Sequence, residues 1–284
     1  MNAIWQIEGP RRALITGASG GIGEAFARIL ADEGWELALV ARNEEQLHRV
    51  AGVLRAKYRI EAHVIALDLG RADAGQVLEE ALKERGFAPD VVINNAGFGL
   101  CGAALELPVA EQLALIDVNA RALADLTLRF VPGMMARGRG GGVLNVASLA
   151  AFMPGPGMAV YFATKAFVLS FSEALAEELK DKGITISAFC PGPVRTSFLD
   201  RSGMRKVWMS RLLAPMKADK AAWAGWQGFK EGARVVVPGI LGHLAVAGAR
   251  ILPRALMRKI AAFLLRPRKI LERRRTRRED GETK

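Results

Sequence analysis

The sequence predicts an α/β protein: a doubly wound parallel sheet of seven strands, with helices on both faces and a basic helical extension at its C-terminal end. Three observations carry this prediction. Seven short runs rich in Val, Ile, Leu or Ala are apolar throughout rather than in alternation, as strands covered on both faces must be. Stretches of helical period separate them, and repeated strand–helix–strand units call for right-handed crossovers and a parallel sheet. The first strand also runs directly into a glycine cluster that opens a helix.

In chain order the strands are expected at 13–16, 36–41, 62–67, 91–94, 143–147, 184–189 and 235–237, each bounded by Gly, Pro, Asn or Asp. Helical spacing fills 23–33, 44–58, 72–85, 108–137 and 161–182. Gly138-Arg139-Gly140-Gly141-Gly142 reads as a flexible turn into a strand, and neither an internal repeat nor an interdomain linker is apparent. The expected organisation is one domain over 1–240 and a helical, basic extension over 241–284.

Composition narrows the class. With 284 residues, 51% of them hydrophobic, the chain is long enough for a sizeable core and is neither disordered nor a disulfide-held miniprotein. The net charge of +11 is unevenly spread. Residues 250–284 hold 13 basic and 4 acidic side chains, whereas residues 1–249 hold 27 and 25. Two distant cysteines, Cys101 and Cys190, suit a reducing compartment and fit no metal spacing, so no metal is expected. The first ten residues lack the apolar core of a signal peptide. The apolar stretch 235–249 is interrupted by Pro238, three glycines and His243, and a spanning helix needs about 20 apolar residues. The expectation is a cytoplasmic protein, peripheral to a membrane at most. His48, His63 and His243 are scattered and suggest no site.

The chemistry begins at Thr16-Gly17-Ala18-Ser19-Gly20-Gly21-Ile22-Gly23, between a strand and a helix. Glycines there allow a tight turn and bring backbone N–H groups up to a pyrophosphate at the positive end of the helix, the arrangement of a Rossmann dinucleotide site. At the end of the second strand an acidic side chain would bind the adenosine ribose and repel a 2′-phosphate, but the sequence there is Ala41-Arg42-Asn43. A missing acid and a present guanidinium favour NADP(H) over NAD(H). Tyr161 and Lys165 lie four apart on one helical face, and Ser148 lies 13 residues earlier, at a strand end.

Taken together, Thr16–Gly23, Asn94-Asn95-Ala96-Gly97, Ser148 with Tyr161-x-x-x-Lys165, and Pro191-Gly192 resemble the short, single-domain branch of the short-chain dehydrogenase/reductases over residues 10–240. The resemblance implies a catalytic set of Asn119, Ser148, Tyr161 and Lys165. Tyr161 would exchange a proton with the substrate oxygen, and Lys165 would supply a cation favouring tyrosinate and hold the nicotinamide ribose. Ser148 would hydrogen-bond the substrate oxygen, and Asn119 would hold a water linking Lys165 to solvent. It further implies cofactor contacts from Gly17, Ser19, Gly21, Ile22, Gly23, Arg42, Asp68 (at the adenine), Asn94, Ala96, Gly97, Tyr161, Lys165, Pro191, Gly192, Val194 and Thr196. Homodimers or homotetramers are usual in such a family.

The resemblance also implies that substrate preference comes from the segment after Pro191-Gly192, about residues 195–230, acting as a lid. Phe198, Leu199, Met204, Val207, Trp208, Met209, Leu212, Leu213, Pro215 and Met216 alternate there with basic residues. Apolar walls are expected from 97–102 and 152–158. A bulky apolar ketone or secondary alcohol, fatty-acyl or steroid-like, suits such walls better than a small metabolite. In the extension, Leu256, Met257, Ile260, Phe263 and Leu264 share one side of a helical wheel, followed by a polybasic run to Arg278. That pattern fits an anionic membrane surface reached through 254–278, and it equally fits a helix packed on the body or on a second subunit. Without interleaved aromatics or a binding module, nucleic acid is not expected. The competing reading, a dinucleotide-binding regulator or scaffold tethered by its tail, differs by having no turnover.

Overall fold

A computed structural model describes residues 9–203 and 215–265. The strands are β1 (Arg12–Thr16), β2 (Glu36–Ala41), β3 (Ala62–Ala66), β4 (Val91–Asn94), β5 (Gly142–Val146) and β6 (Thr185–Phe189). Short pieces follow: β7 (Val194–Arg195), β8 (Met216–Lys217) and β9 (Val235–Val236). One parallel sheet has the order β3-β2-β1-β4-β5-β6-β9, and β7 pairs with β8 separately. The chain runs outward from β1 to β3, then crosses to β4 on the other side of β1. Loops leaving β1 and β4 therefore diverge and open a crevice at the C-terminal strand ends.

The helices are α1 (Gly21–Asp32), α2 (Glu44–Tyr58), α3 (Ala74–Glu84), α4 (Val109–Ile116), α5 (Leu123–Arg137) and α6 (Ala159–Glu178). They continue with α7 (Ser197–Arg201), α8 (Ala218–Lys230), α9 (Ile240–Ile251) and α10 (Arg254–Leu264). Alternate strand residues serve two cores. Ile15, Leu39, Ile93 and Leu144 face α1, α2 and α8, while Leu14, Val40, Val92 and Val143 face α3 and α5. This two-sided burial is why the strand sequences are continuously apolar. α6 has the length and composition to cross a membrane, but here Val168, Leu169 and Ala176 bury its inner face in the domain.

Two departures from the sequence expectation matter. The helix expected over 108–137 is α4 and α5 joined by a six-residue π-helical segment, Asp117–Ala122, which carries Asn119. And the expected lid does not extend to 230. α8 packs along α1 and is a core helix, with Trp226 and Phe229 fully buried and the Trp226 ring 5.6 Å from Trp35, edge to face. Its Ala221, Ala222, Gly225, Trp226 and Phe229 form one apolar stripe that only the sheet side can bury. Of the remaining lid, Phe198, Leu199, Pro215 and Met216 are described. Met204, Val207, Trp208, Met209, Leu212 and Leu213 lie outside the described residues.

Candidate active site

The crevice has a phosphate end and a carbonyl end. At the phosphate end Gly17 sits at φ +66, and a Cβ there would meet the Asn95 side-chain nitrogen at 2.7 Å. A Cβ on Gly23 would drive into the Gly17 carbonyl oxygen. α1 begins after Gly20, which supplies no side-chain cap, so its first-turn N–H groups are met by no capping side chain. Bare backbone donors at a helix N-terminus, held in a cradle that any side chain would fill, fit a pyrophosphate. Ser19 and Ile22 line the same turn, half-buried.

Neighbouring loops lock this turn in place. The Thr16 hydroxyl accepts from the backbone N–H groups of Asn95 and Ala96, each at 3.0 Å. The Asn95 side-chain amide donates to the carbonyls of Thr16 at 2.9 Å and Gly17 at 3.2 Å. Ala18 N–H donates to the Val40 carbonyl at 3.2 Å, and Leu67 N–H to that of Ala41 at 3.0 Å. These two bonds gather the loop, exposed Arg42 and exposed Asp68 at one strand-end edge. Asp68 also accepts from Gly70 N–H at 2.9 Å and so closes its own turn. Thr196 reaches back from the other side: a Cβ on Gly21 would lie 3.0 Å from its methyl group. The Thr196 hydroxyl caps α7 through Phe198 N–H at 3.3 Å. Val194, in β7, is buried against the core that holds α1.

Asn94 takes a different position. Its amide donates to Thr127 at 3.0 Å and Asn145 at 2.9 Å, and Asn145 in turn donates to Ser172 at 3.0 Å. This buried network ties β4 and β5 to α5 and α6, so Asn94 braces the floor of the site while Asn95 contacts the glycine loop. A strand's period of two gives the sign in advance, since Asn94 shares its face with Val92.

At the carbonyl end, Ser148 ends the strand segment as the cap of a short 3-10 turn, Leu149–Phe152. Its hydroxyl accepts from Ala150 N–H at 3.1 Å, lies 3.5 Å from the Pro191 carbonyl oxygen and shares a hydrogen bond with Tyr161. Gly192 follows Pro191 against Leu149. Lys165 donates to the Val146 carbonyl at 2.8 Å, with its ammonium 5.9 Å from the centre of the Tyr161 ring. Asn119 holds the Phe98 backbone from both sides, accepting its N–H at 3.0 Å and donating to its carbonyl at 2.9 Å. A Cβ on Gly97 would meet Asn119 at 2.9 Å and the Lys165 ammonium at 3.7 Å, so these three crowd one corner. The π-helical segment offsets Asn119 into that corner, as such segments do at functional sites.

Burial sets the electrostatics. The Tyr161 phenol is pushed up to about 12 by loss of solvent, against which the Ser148 hydrogen bond acts. The same loss of solvent pulls the Lys165 ammonium down to about 8. Desolvation thus favours the protonated phenol of Tyr161, the form able to donate a proton. Buried Cys190, which sequence reading left unused, lies near Lys165, and burial pushes its thiol up to about 12. The arrangement can deliver a proton from Tyr161 to an oxygen that Ser148 also reaches. A nicotinamide dinucleotide bound along the crevice would supply the hydride.

The apolar wall around Tyr161 comprises Leu115, Met158, Phe162 and Leu199, with Phe98, Leu100 and Phe198 packed against them. It includes a residue that sequence reading did not foresee, Leu265, at the end of α10. Met257, Ala261 and Leu265 face inward, so α10 is rotated from the expected wheel. Leu256 and Phe263 keep 44% and 54% of their surface.

Comparison with known proteins agrees with this geometry. A family model described as short chain dehydrogenase matches residues 11–206. The chain is 36% identical to sulfoacetaldehyde reductase 2 of Chromohalobacter salexigens, over 67% of this chain and 75% of that protein. It is 34% identical to the very-long-chain 3-oxoacyl-CoA reductase of Mus musculus, over 66% of this chain but only 62% of that longer protein. A solved short-chain dehydrogenase from Sphingobium yanoikuyae in complex with NADPH superposes with a TM-score of 0.75 at 32% identity, covering 87% of this chain and 95% of that one.

Proposed function

The chain belongs to the short chain dehydrogenase family, and from that premise we propose that it is an NADP(H)-dependent enzyme interconverting a carbonyl and a secondary alcohol on a bulky apolar substrate, fatty-acyl or steroid-like. The observation that carries the substrate class is the wall around Tyr161, built from Leu115, Met158, Phe162, Phe198, Leu199 and Leu265. Such a wall rewards each methylene removed from water by about 0.8 kcal/mol, close to fourfold in binding. The mouse relative's very-long-chain substrate has that character. The cofactor preference rests on Arg42, set beside the phosphate turn where an acid would exclude the 2′-phosphate, and it agrees with the NADPH-bound relative. Self-association is part of the proposal, since Leu128 and Met135 on α5 and Phe167 on α6 are exposed at 57%, 38% and 44%.

The test is a series of 3-oxoacyl thioesters of increasing chain length, with ketosteroids and sulfoacetaldehyde alongside, each reduced with NADPH and with NADH. We expect kcat/KM to climb roughly three- to fourfold per added methylene until the pocket is filled. A flat series, or sulfoacetaldehyde as the best substrate, would overturn the apolar assignment, and faster turnover with NADH would overturn the cofactor assignment.

A further inference from the structure

We propose that α9 and α10 form a docking face for an anionic lipid surface. Ile240, Leu244 and Ile251 are 81%, 63% and 81% exposed and occupy one stripe along α9, opposite buried Gly242. Leu256 extends the exposed apolar surface onto α10 at 44%. These are not side chains awaiting burial on the body, because α10 already turns Met257, Ala261 and Leu265 inward.

The charge on the same two helices names the occupant. Arg250, Arg254, Arg258 and Lys259 are all exposed on these two helices. From Gly232 to Leu271 the sequence contains no Asp or Glu, and residues 266–284 add nine basic side chains against four acidic ones. A second copy docked symmetrically on this face would set these cations against their own equivalents with no carboxylate between them, which is costly. A nucleic acid would satisfy the cations but gain nothing from a stripe of Ile and Leu. An anionic bilayer rewards both, through apolar burial at the headgroup boundary and about 1 kcal/mol per basic residue near the surface. Docked this way, α10 lies between the lipid and the apolar wall of the active site, to which its last turn contributes Leu265.

The experiment is sedimentation of the full chain with vesicles of phosphatidylcholine alone and of phosphatidylcholine with about a third phosphatidylglycerol, at low and high salt. The expected result is binding to the anionic vesicles, weakened by salt, and little binding to the neutral ones. Substituting Ile240→Ser, Leu244→Ser and Ile251→Ser together should lower the partition about tenfold or more. Arg250→Glu with Arg258→Glu should lower it too. NADPH affinity and the thermal midpoint should hold in both variants, which separates lost docking from lost folding. Absence of sedimentation with either vesicle overturns the proposal. So does a serine variant that binds undiminished, or one that turns a dimer into a monomer without vesicle binding in the parent. Capture by RNA that competes with vesicles and ignores the serine substitutions would assign the face to nucleic acid instead.

Discussion

The two ends of the crevice are built from different materials. The phosphate end is made of backbone: Gly17 at positive φ, Gly23 pressed against the Gly17 carbonyl, and an α1 N-terminus with no side-chain cap. The carbonyl end is made of side chains, half-buried Ser148 with buried Tyr161 and Lys165, and loss of solvent moves the proton affinities of the last two. One end recognises through shape, and added atoms damage it. The other acts through chemistry, and removed atoms damage it. This difference says which measurement should respond to which substitution.

The largest effect should come from removing a single oxygen. Tyr161→Phe keeps the ring among Phe198, Phe162 and Met158 but deletes the proton donor, so kcat should fall by about 10²- to 10⁴-fold. NADPH affinity, measured by tryptophan-to-nicotinamide energy transfer, should stay within about twofold. Proportional loss of cofactor binding would erase the distinction between the ends. The converse is Gly23→Ala, which adds one carbon where the Gly17 carbonyl already lies. Overpacking of this kind costs about 1–3 kcal/mol, so the NADPH Kd should rise by about 5- to 150-fold. At saturating NADPH, kcat should be largely retained. A Gly23→Ala enzyme with normal Kd and poor kcat would contradict the account.

A pH profile sharpens the chemical half. Lys165 carries its charge below about 8 and loses it above, whereas Tyr161 keeps its proton to about 12. If the ammonium assists reduction, the rate is level up to neutral pH and declines about tenfold per unit above about 8, while the phenol remains able to donate. Arginine stays charged throughout this range, so Lys165→Arg, though slower, should show no decline near 8. A decline that persists there in Lys165→Arg belongs to another group.

Much of the carbonyl end could be read from the sequence because spacing expresses it: Tyr161 and Lys165 are one helical turn apart, and Ser148 ends a strand segment. The sheet was equally legible, since strands covered on both faces are apolar at every position. Other features were hidden for physical reasons. A π-helical segment of six residues barely disturbs the apolar period of 108–137, so the offset that places Asn119 against Phe98 leaves no pattern. Asn95 carries no signal of its own beside Asn94, although strand alternation assigns Asn94 to the interior with Val92. The stripe of α8 was present in the sequence, but its place after Pro191-Gly192 suggested a lid. Nothing local signals that Leu265 meets the cluster of Tyr161, because that contact joins segments about a hundred residues apart.

The smallest expected effect probes the phosphate end where it departs from pure backbone recognition. Arg42 is exposed at the end of β2, and the bond from Ala18 N–H to the Val40 carbonyl brings the glycine turn alongside. A guanidinium there has one discriminating task, a charge-assisted hydrogen bond to a 2′-phosphate in a site open to solvent. Solvent screening limits its worth, so Arg42→Ala should raise the NADPH Kd only about tenfold. NADH has no 2′-phosphate, and its Kd should not change. The selectivity between the two dinucleotides should therefore collapse without harm to kcat, because Arg42 lies far along the crevice from Tyr161. Equal weakening of both would mean that Arg42 supports the turn itself. No weakening of either would mean that the turn's backbone binds the pyrophosphate unaided and that preference for NADPH is set elsewhere on the strand-end edge, with Ser19 the next residue to replace.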